Sequence, residues 1–110
     1  MYVLVTHLEG DNNDNEVIVA EVNLDDNLSD IEALEEAYRL TQNYKGSWSI
    51  KDGNPDNDDR LKVMAPLHNI DGQTFGLRSS MIGDTFYTIR GDVKETFHVD
   101  TIGFTAGKFC

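Results

Sequence analysis

The sequence predicts an α+β fold in which a single helix packs on a mainly antiparallel sheet. One stretch has the period of an amphipathic helix, and stretches on both sides of it are β-branched and aromatic with a period of two. Clusters of turn-forming residues separate them. The 110 residues suit one domain, residues 1–110, which can bury a core without metals or disulfides. We expect an N-terminal hairpin, the helix and then a β-meander.

The predicted hairpin opens the chain. Residues 2–8, YVLVTHL, are short, apolar and β-branched, and residues 16–24, EVIVAEVNL, form the second strand. The turn formers of residues 9–15 make a loop that is longer than a tight two-residue turn. The core face of the second strand is expected to carry Ile18, Ala20, Val22 and Leu24.

The helix is predicted within residues 28–43, LSDIEALEEAYRLTQN. Ser29 followed by Glu32 matches a capping box, in which each side chain satisfies a free backbone N–H of the other residue. Glu35 and Arg39 have the favourable order for an i,i+4 ion pair. The stripe expected to face the sheet consists of Ile31, Leu34, Tyr38 and Thr41, with Ala37 beside it.

After the helix the period returns to two, which predicts a series of strands. A turn is expected around Asp71-Gly72, and an exposed loop over residues 52–59. The expected strands are residues 47–51, with Trp48 as an anchor, and residues 60–67, 74–80, 85–91 and 96–104.

The charge is strongly acidic and unevenly distributed. The formal net charge is −11, and residues 1–36 hold eleven Asp and Glu but no Lys or Arg. Such a chain repels nucleic acid and anionic membranes and attracts basic surfaces. This acidic part is either a solvated face that keeps the protein soluble or a docking surface for a basic partner. The candidate docking residues are Glu9, Asp11, Asp14, Glu16, Asp25, Asp26, Asp30, Glu32, Glu35 and Glu36.

Composition also bears on the compartment. No apolar run is long enough for a transmembrane helix, and the N-terminal stretch lacks the features of a signal peptide. The one cysteine, Cys110, cannot form an internal disulfide. We therefore expect a cytoplasmic protein without membrane association.

No cofactor or metal site is predicted. In the loop of residues 52–59, Asp52, Asn54, Asp56 and Asp58 have the odd-numbered spacing of a calcium loop, but a glycine and a bidentate glutamate are missing at the positions that need them. The histidines, His7, His68 and His98, lack zinc-type partners and are expected to be partly exposed in the sheet. The sequence also shows no nucleophile–base arrangement and no nucleotide-binding motif, so we expect no enzyme.

The stretch LRSSMIGDTF, residues 77–86, is interpreted as a structural turn. Gly83 can adopt a positive φ, and the Asp84 carboxylate can cap the backbone amides beside it. Arg78 can hold either Asp84 or Asp71 as a bidentate pair. Arg78, Gly83 and Asp84 are therefore assigned to structure.

Most of the chain resembles a set of small, mostly uncharacterised proteins of bacteriophages and plasmids. Their pattern is an acidic helix ending near Thr-Asn, a Trp, Arg-Ser-x-Ser-Val-Gly-Asp and an aromatic strand ending in Gly-Phe. The resemblance implies a mobile-element origin and no established activity. Met81 departs from it, because the pattern has serine there. The matching residues are Glu32 to Thr41, Asn43, Trp48, the stretch from Arg78 to Asp84, Phe97, Val99 and Ile102 to Phe104.

Two functions follow as expectations. The first is a small phage-type accessory protein whose acidic hairpin and helix bind and inhibit a host protein with a basic surface, with carboxylates that imitate nucleic-acid phosphates. The second comes from a weaker similarity of the Gly-Asp turn and closing hairpin to PUA and ASCH barrels. It implies a module that binds nucleic acid or a nucleotide through Arg78, Arg90 and nearby aromatic residues.

Overall fold

A six-stranded antiparallel sheet with one helix against it forms the body of the protein, which confirms the predicted α+β class. The computed structural model describes residues 1–9, 15–43, 48–49, 60–65, 68–71, 73–100 and 103–106. In this part of the chain the strands β1 to β8 are Tyr2–Glu9, Asn15–Asn23, Leu61–Val63, His68–Ile70, Gln73–Phe75, Thr85–Arg90, Val93–Val99 and Phe104–Ala106, and the helix α1 is Asp30–Leu40. The sheet order is β3-β2-β1-β6-β7-β8, and β4 and β5 form a separate pair.

The core lies between α1 and one face of the sheet, which we call the inner face. Strand β1 is central, and its Val3 and Val5 pair with Thr88 and Phe86 of β6 on this face. α1 covers both strands. The fully buried apolar side chains of this layer are Val3, Val5, Val19, Ala20, Val22, Ala33, Leu34, Ala37 and Phe86.

A β-bulge in β2 changes the alternation that the sequence predicts. Val5 pairs with Ala20 but Thr6 pairs with Ile18, so Val19 is an extra residue in β2. As a result Val19 is fully buried and Ile18 is 47% exposed. The expected core face is therefore wrong at Ile18, whereas Ala20, Val22 and Leu24 are buried as expected.

The start of α1 agrees with the sequence, and its buried face agrees in part, because Leu34, Ala37 and Thr41 are buried as expected. Ser29 and Glu32 form the complete capping box, and its hydrogen bonds lower the pKa of the Glu32 carboxyl. The predicted stripe is wrong at Ile31, which is 48% exposed because it lies about 120° around the helix from Ala37, the middle of the buried face. The helical residues that are buried are Ala33, Leu34, Ala37 and Leu40.

The strands after α1 are shorter than predicted and do not follow one another across the sheet. β3 pairs with β2, and β6, β7 and β8 form the meander. The predicted turn at residues 68–73 is a hairpin of β4 and β5, with Asp71 at a φ of 53°. The predicted strand 96–104 is two strands, because the chain reverses at Asp100, whose N–H donates to the Gly103 carbonyl at 2.9 Å.

Parts of two predicted strands have irregular structure. Residues 76–80, within the predicted strand 74–80, are not in a strand. Trp48 and Ser49, the described part of the predicted strand 47–51, form a bend. The loop of residues 52–59, with its calcium-like spacing, lies outside the described residues. Among the described residues, no helix is long and apolar enough to cross a membrane.

The position of the buried helix face can be tested by comparing two alanine variants. Leu34→Ala removes a fully buried side chain and is expected to lower the free energy of unfolding by about 2–5 kcal/mol. Ile31→Ala, on the stripe predicted from the sequence alone, is expected to change it by about 0.5 kcal/mol or less, because its side chain is half exposed. Urea unfolding followed by circular dichroism measures both values. Equal losses would contradict the helix orientation.

Candidate functional site

Asp84 is a buried carboxylate at the centre of a polar cluster. Its side chain is 2% exposed, and the Arg78 guanidinium donates from Nη1 to Oδ2 at 2.7 Å and from Nη2 to Oδ1 at 2.8 Å. The backbone N–H groups of Leu8 and Met81 donate to Oδ1 at 3.0 Å and to Oδ2 at 2.8 Å. One carboxylate therefore joins the end of β1, the segment of residues 77–83 and the start of β6.

Gly83 forms the turn that presents Asp84 to these donors. Its φ is 96°, a conformation that favours glycine. Its N–H donates to the Val99 carbonyl at 2.9 Å, and the Val99 N–H donates to the Asp84 carbonyl at 2.9 Å. The turn is thus hydrogen-bonded to the end of β7 as well as to Arg78.

Residues 77–80 are held by hydrogen bonds to the end of α1 and to Asn43 and Trp48 rather than by a neighbouring strand. The Ser80 N–H donates to the Thr41 carbonyl at 3.0 Å, and the Thr41 and Ser80 hydroxyl oxygens lie 2.8 Å apart. The Asn43 amide donates to the Leu77 carbonyl at 3.1 Å. The Trp48 indole donates to the Arg78 carbonyl at 2.8 Å. These contacts satisfy backbone groups that the predicted strand would have used in a sheet.

His7 lies inside this cluster, which corrects the expectation of partly exposed histidines. His7 is 0% and His98 is 7% exposed. The His7 Nε2 atom lies 3.1 Å from the Ser80 hydroxyl oxygen and 3.8 Å from the Asp84 Oδ2 atom. Burial lowers the pKa of His7 to about 4; the Asp84 charge opposes this shift, and the Arg78 charge adds to it. His7 is therefore neutral at pH 7.

The serine, the histidine and the aspartate do not have the geometry of a nucleophilic triad. A triad needs the two histidine ring nitrogens to face the nucleophile and the acid separately. Here the same nitrogen faces both Ser80 and Asp84, and Nδ1 has no hydrogen-bond partner among the described residues. Ser80 is 2% exposed, which also keeps a substrate away from its hydroxyl. The geometry favours a packing role.

Part of the residue set behind the resemblance to phage proteins meets in this cluster. Thr41, Asn43, Trp48 and the stretch from Arg78 to Asp84 are distant in sequence but hydrogen-bonded to one another. Met81, where the pattern has serine, is 53% exposed and serves Asp84 only through its backbone N–H. The departure therefore leaves the hydrogen bonds of Asp84 intact.

Several of the candidate docking carboxylates have partners that the sequence did not indicate. The Met1 amine donates to Asp26, and this contact lowers the pKa of the Asp26 carboxyl. Arg90 pairs with Asp30 at 3.1 Å. Arg39, the expected partner of Glu35, instead pairs with Glu36, and Arg60 approaches Glu36 at 3.3 Å.

The remaining candidates are spread over the surface. Asp25 is exposed and accepts from the Asn27 N–H at 2.9 Å. Glu16 lies on the outer face of the sheet, opposite α1, where it accepts from Thr6 at 3.1 Å and from the Tyr87 hydroxyl. Glu9 ends β1, and Asp11 and Asp14 lie outside the described residues. The structure therefore groups Glu32, Glu35 and Glu36 on α1 and separates Glu16 from them.

Glu35 lies between two depressions on the surface of α1. It is exposed, about 160° around the helix from Ala37, and has no ion pair with another described residue. One depression has a volume of about 460 Å³ and is charged, since Glu32, Glu36, Arg39 and Arg60 line it. The other, about 270 Å³, is more apolar, and its lining residues are Glu35, Tyr38, Val99, Asp100, Gly103 and Phe104.

Both arginines of the nucleic-acid alternative are engaged within the protein. Arg78 donates to Asp84 and to the Leu8 carbonyl at 3.2 Å. Arg90 donates to Asp30, to the Asp26 carbonyl at 3.0 Å and to the Leu28 carbonyl. Binding a phosphate would have to compete with these contacts, so no observation favours this alternative.

Comparison of the chain with models of known protein families, with curated proteins and with solved structures gives no match. Within the described part of the chain, no group of three or more His, Cys, Asp or Glu side chains is placed to hold a metal ion. The interpretation of the candidate site therefore rests on its geometry alone.

Sequence reasoning missed the roles of His7, Thr41 and Ser80. Each has a polar side-chain partner 39 or more positions away in the sequence, which no local pattern indicates. A small signal existed for His7, because it continues the alternation of Val3 and Val5 on the inner face of β1. Thr41 lies on the helix stripe that the sequence predicts to face the sheet, but its contact with Ser80 has no signal in the sequence, since it depends on how residues 77–80 cross the end of α1.

The role of Asp84 can be tested by removing its charge. Asp84→Asn leaves the Arg78 guanidinium without its anion and turns one acceptor into a donor that faces N–H groups. We expect a loss of about 3–5 kcal/mol in the free energy of unfolding. Asp92→Asn, in the exposed β6–β7 turn, is the matched control and should change it by about 0.5 kcal/mol or less. A loss at Asp84 no larger than that at Asp92 would refute the structural assignment.

The burial of His7 predicts a pH dependence of stability. In the unfolded chain His7 takes up a proton below its ordinary pKa of 6.5, whereas in the folded protein it does so only near pH 4. The contribution of His7 to the free energy of unfolding is therefore fully present above pH 6.5. It is lost as the pH falls towards 4, by up to about 3 kcal/mol. Urea unfolding of wild type and His7→Gln at several pH values isolates this loss from that of the carboxyl groups. Parallel stability curves for the two proteins would contradict the prediction.

Proposed function

We propose that this protein is a binding protein, and not an enzyme, which docks on a basic surface of a partner protein through the exposed carboxylates of α1. The observation that carries the proposal is Glu35, an exposed carboxylate without an ion pair to any described residue, between two depressions on the helix surface. The net charge of −11 supports it by attracting basic partners over distances beyond contact.

The docking surface is smaller than the set of ten candidate docking residues. Glu32 caps the helix, Glu36 pairs with two arginines and Asp30 pairs with Arg90. These carboxylates add to the negative field that attracts a basic partner, but they are held in contacts within the protein. Glu35 is free of such a role among the described residues, so it is the residue most available to a partner.

The finer form of the proposal is a mobile-element accessory protein that acts in the cytoplasm of a host cell. If the partner's basic surface normally binds nucleic acid, the carboxylates of α1 would take the place of phosphates and inhibit that binding. Phosphate contacts dominate the affinity of such surfaces and are sensitive to salt. Competition between this protein and DNA or RNA for the captured partner would test the mimicry separately.

The proposal predicts that one reversal of charge weakens partner capture. Immobilised wild type, Glu35→Lys and Asp92→Lys are exposed to host lysate at about 0.1 M and about 1 M salt. Asp92→Lys makes the same change in net charge at an exposed turn and is the matched control. Partner capture should occur at low salt with wild type and the control, and should fall with Glu35→Lys and at high salt.

Two results would count against the proposal. One is capture that Glu35→Lys leaves unchanged, because the helix surface would then not be in contact with the partner. The other is a gel shift of DNA or RNA by the wild type at physiological salt that is lost with Arg90→Ala, which would favour the nucleic-acid module. Circular dichroism of each variant establishes that the changes are not due to unfolding.

A further inference from the structure

The smaller depression beside Glu35 combines an aromatic wall with carboxylates. It lies between α1 and the β7–β8 hairpin and has a volume of about 270 Å³, close to the lower end of small-ligand sites. Tyr38 of α1 and Phe104 of β8 form the wall, with ring centroids 6.1 Å apart at an angle of 84°. Glu35 and Asp100 are the acidic residues of its lining.

The aromatic wall is held in place by the core beneath it. The Phe86 ring is fully buried, and its centroid lies 5.5 Å from that of Phe104 and 6.5 Å from that of Tyr38. Asp100 is fixed as well, because its Oδ2 atom accepts from the Thr105 hydroxyl at 2.8 Å. A ligand would therefore meet rings and a carboxylate that are already ordered, which reduces the entropy lost on binding.

The chemistry of this lining selects a flat organic cation. Aromatic faces attract cations, and a guanidinium group can stack on a ring while its N–H groups donate to carboxylates. An ammonium group is a compact and strongly hydrated charge that gains less from such a wall. Arg39, the nearby arginine of the same helix, pairs with Glu36 rather than with Glu35.

We propose that this depression receives an arginine side chain of the partner protein, with the guanidinium against Tyr38 or Phe104 and within reach of Glu35 and Asp100. The inference rests on the proposed function and gives the docking surface a specific anchor. Arginine is enriched among the residues that dominate binding energy at protein interfaces. Glu35 is thereby the residue that attracts the partner and also the residue that orients its arginine.

The test titrates the full chain with N-acetyl-arginine methylamide and follows amide and aromatic NMR signals. The neutral citrulline analogue and the apolar norleucine analogue are the ligand controls, and the lysine analogue tests the preference for a planar cation. We expect saturable shifts at Tyr38, Gly103 and Phe104 with the arginine compound, weaker ones with lysine and none with the neutral compounds.

Two variants distinguish arginine binding in the depression from nonspecific attraction to the acidic surface. Glu35→Gln should weaken arginine binding about threefold or more, in the range expected for the loss of one partly exposed ion pair. Asp92→Asn removes the same charge at the other end of β7, about 20 Å away along the strand, and should leave binding unchanged. The dispersion of the amide spectrum reports that both variants are folded.

Three outcomes would overturn the inference: equal shifts with the citrulline analogue, shifts spread over all acidic residues without saturation, or equal weakening by Asp92→Asn. Failure here can be distinguished from failure of the proposed function. If Glu35→Lys abolishes partner capture but the arginine compound does not bind, docking stands and the anchor is wrong. If the arginine compound binds but Glu35→Lys leaves partner capture unchanged, the arginine site stands and the docking function is wrong.

Discussion

The Asp84 carboxylate is the constraint on which the rest of the structure depends. Burying a charge is costly unless it is paired and hydrogen-bonded, and Asp84 meets this requirement with Nη1 and Nη2 of Arg78 and two backbone N–H groups. These donors belong to separate parts of the chain, so the carboxylate is satisfied only when β1, residues 78–81 and β6 have come together. The position of β6 next to β1, and hence of the meander that follows, is linked to this one side chain.

The sequence predicts the elements whose signals are local. The capping box of Ser29 and Glu32 fixes the start of α1, and alternation in residues 2–8 and 85–91 marks the two central strands. Prediction from the sequence fails where the geometry depends on distant partners. The bulge at Val19 has no signal in the residues of β2. The irregular path of residues 76–80 follows from contacts with Thr41, Asn43 and Trp48. Local chemistry predicts the turn of Arg78, Gly83 and Asp84, and the alternation of β1 gives a small signal for the burial of His7, but the contact of His7 with Ser80 has no signal in the sequence.

The same distinction applies to charge. Residues 1–36 contain no Lys or Arg, so in the sequence their eleven carboxylates have no basic side chain among them. In the fold, Arg90, Arg39 and Arg60 come from elsewhere in the chain to Asp30 and Glu36, while Glu32 is held by the capping box. Much of the acidic excess on α1 therefore serves the helix and its attachment to the sheet. A count of carboxylates overestimates the surface that is available to a partner.

The small number of carboxylates without an internal role limits how a partner could be bound. A single available carboxylate on an exposed helix face contributes little affinity, because exposed ion pairs are typically worth about 0–1 kcal/mol. The net charge adds long-range attraction, which mainly raises the rate of association. Under the proposed function, specific and lasting attachment needs a buried contact as well, which an arginine in the depression between Tyr38, Phe104, Glu35 and Asp100 would provide. The hydrogen-bonded cluster around Asp84 supports this depression indirectly, since Gly83 and Asp84 are hydrogen-bonded to the end of β7, from which Asp100 and the β8 hairpin continue.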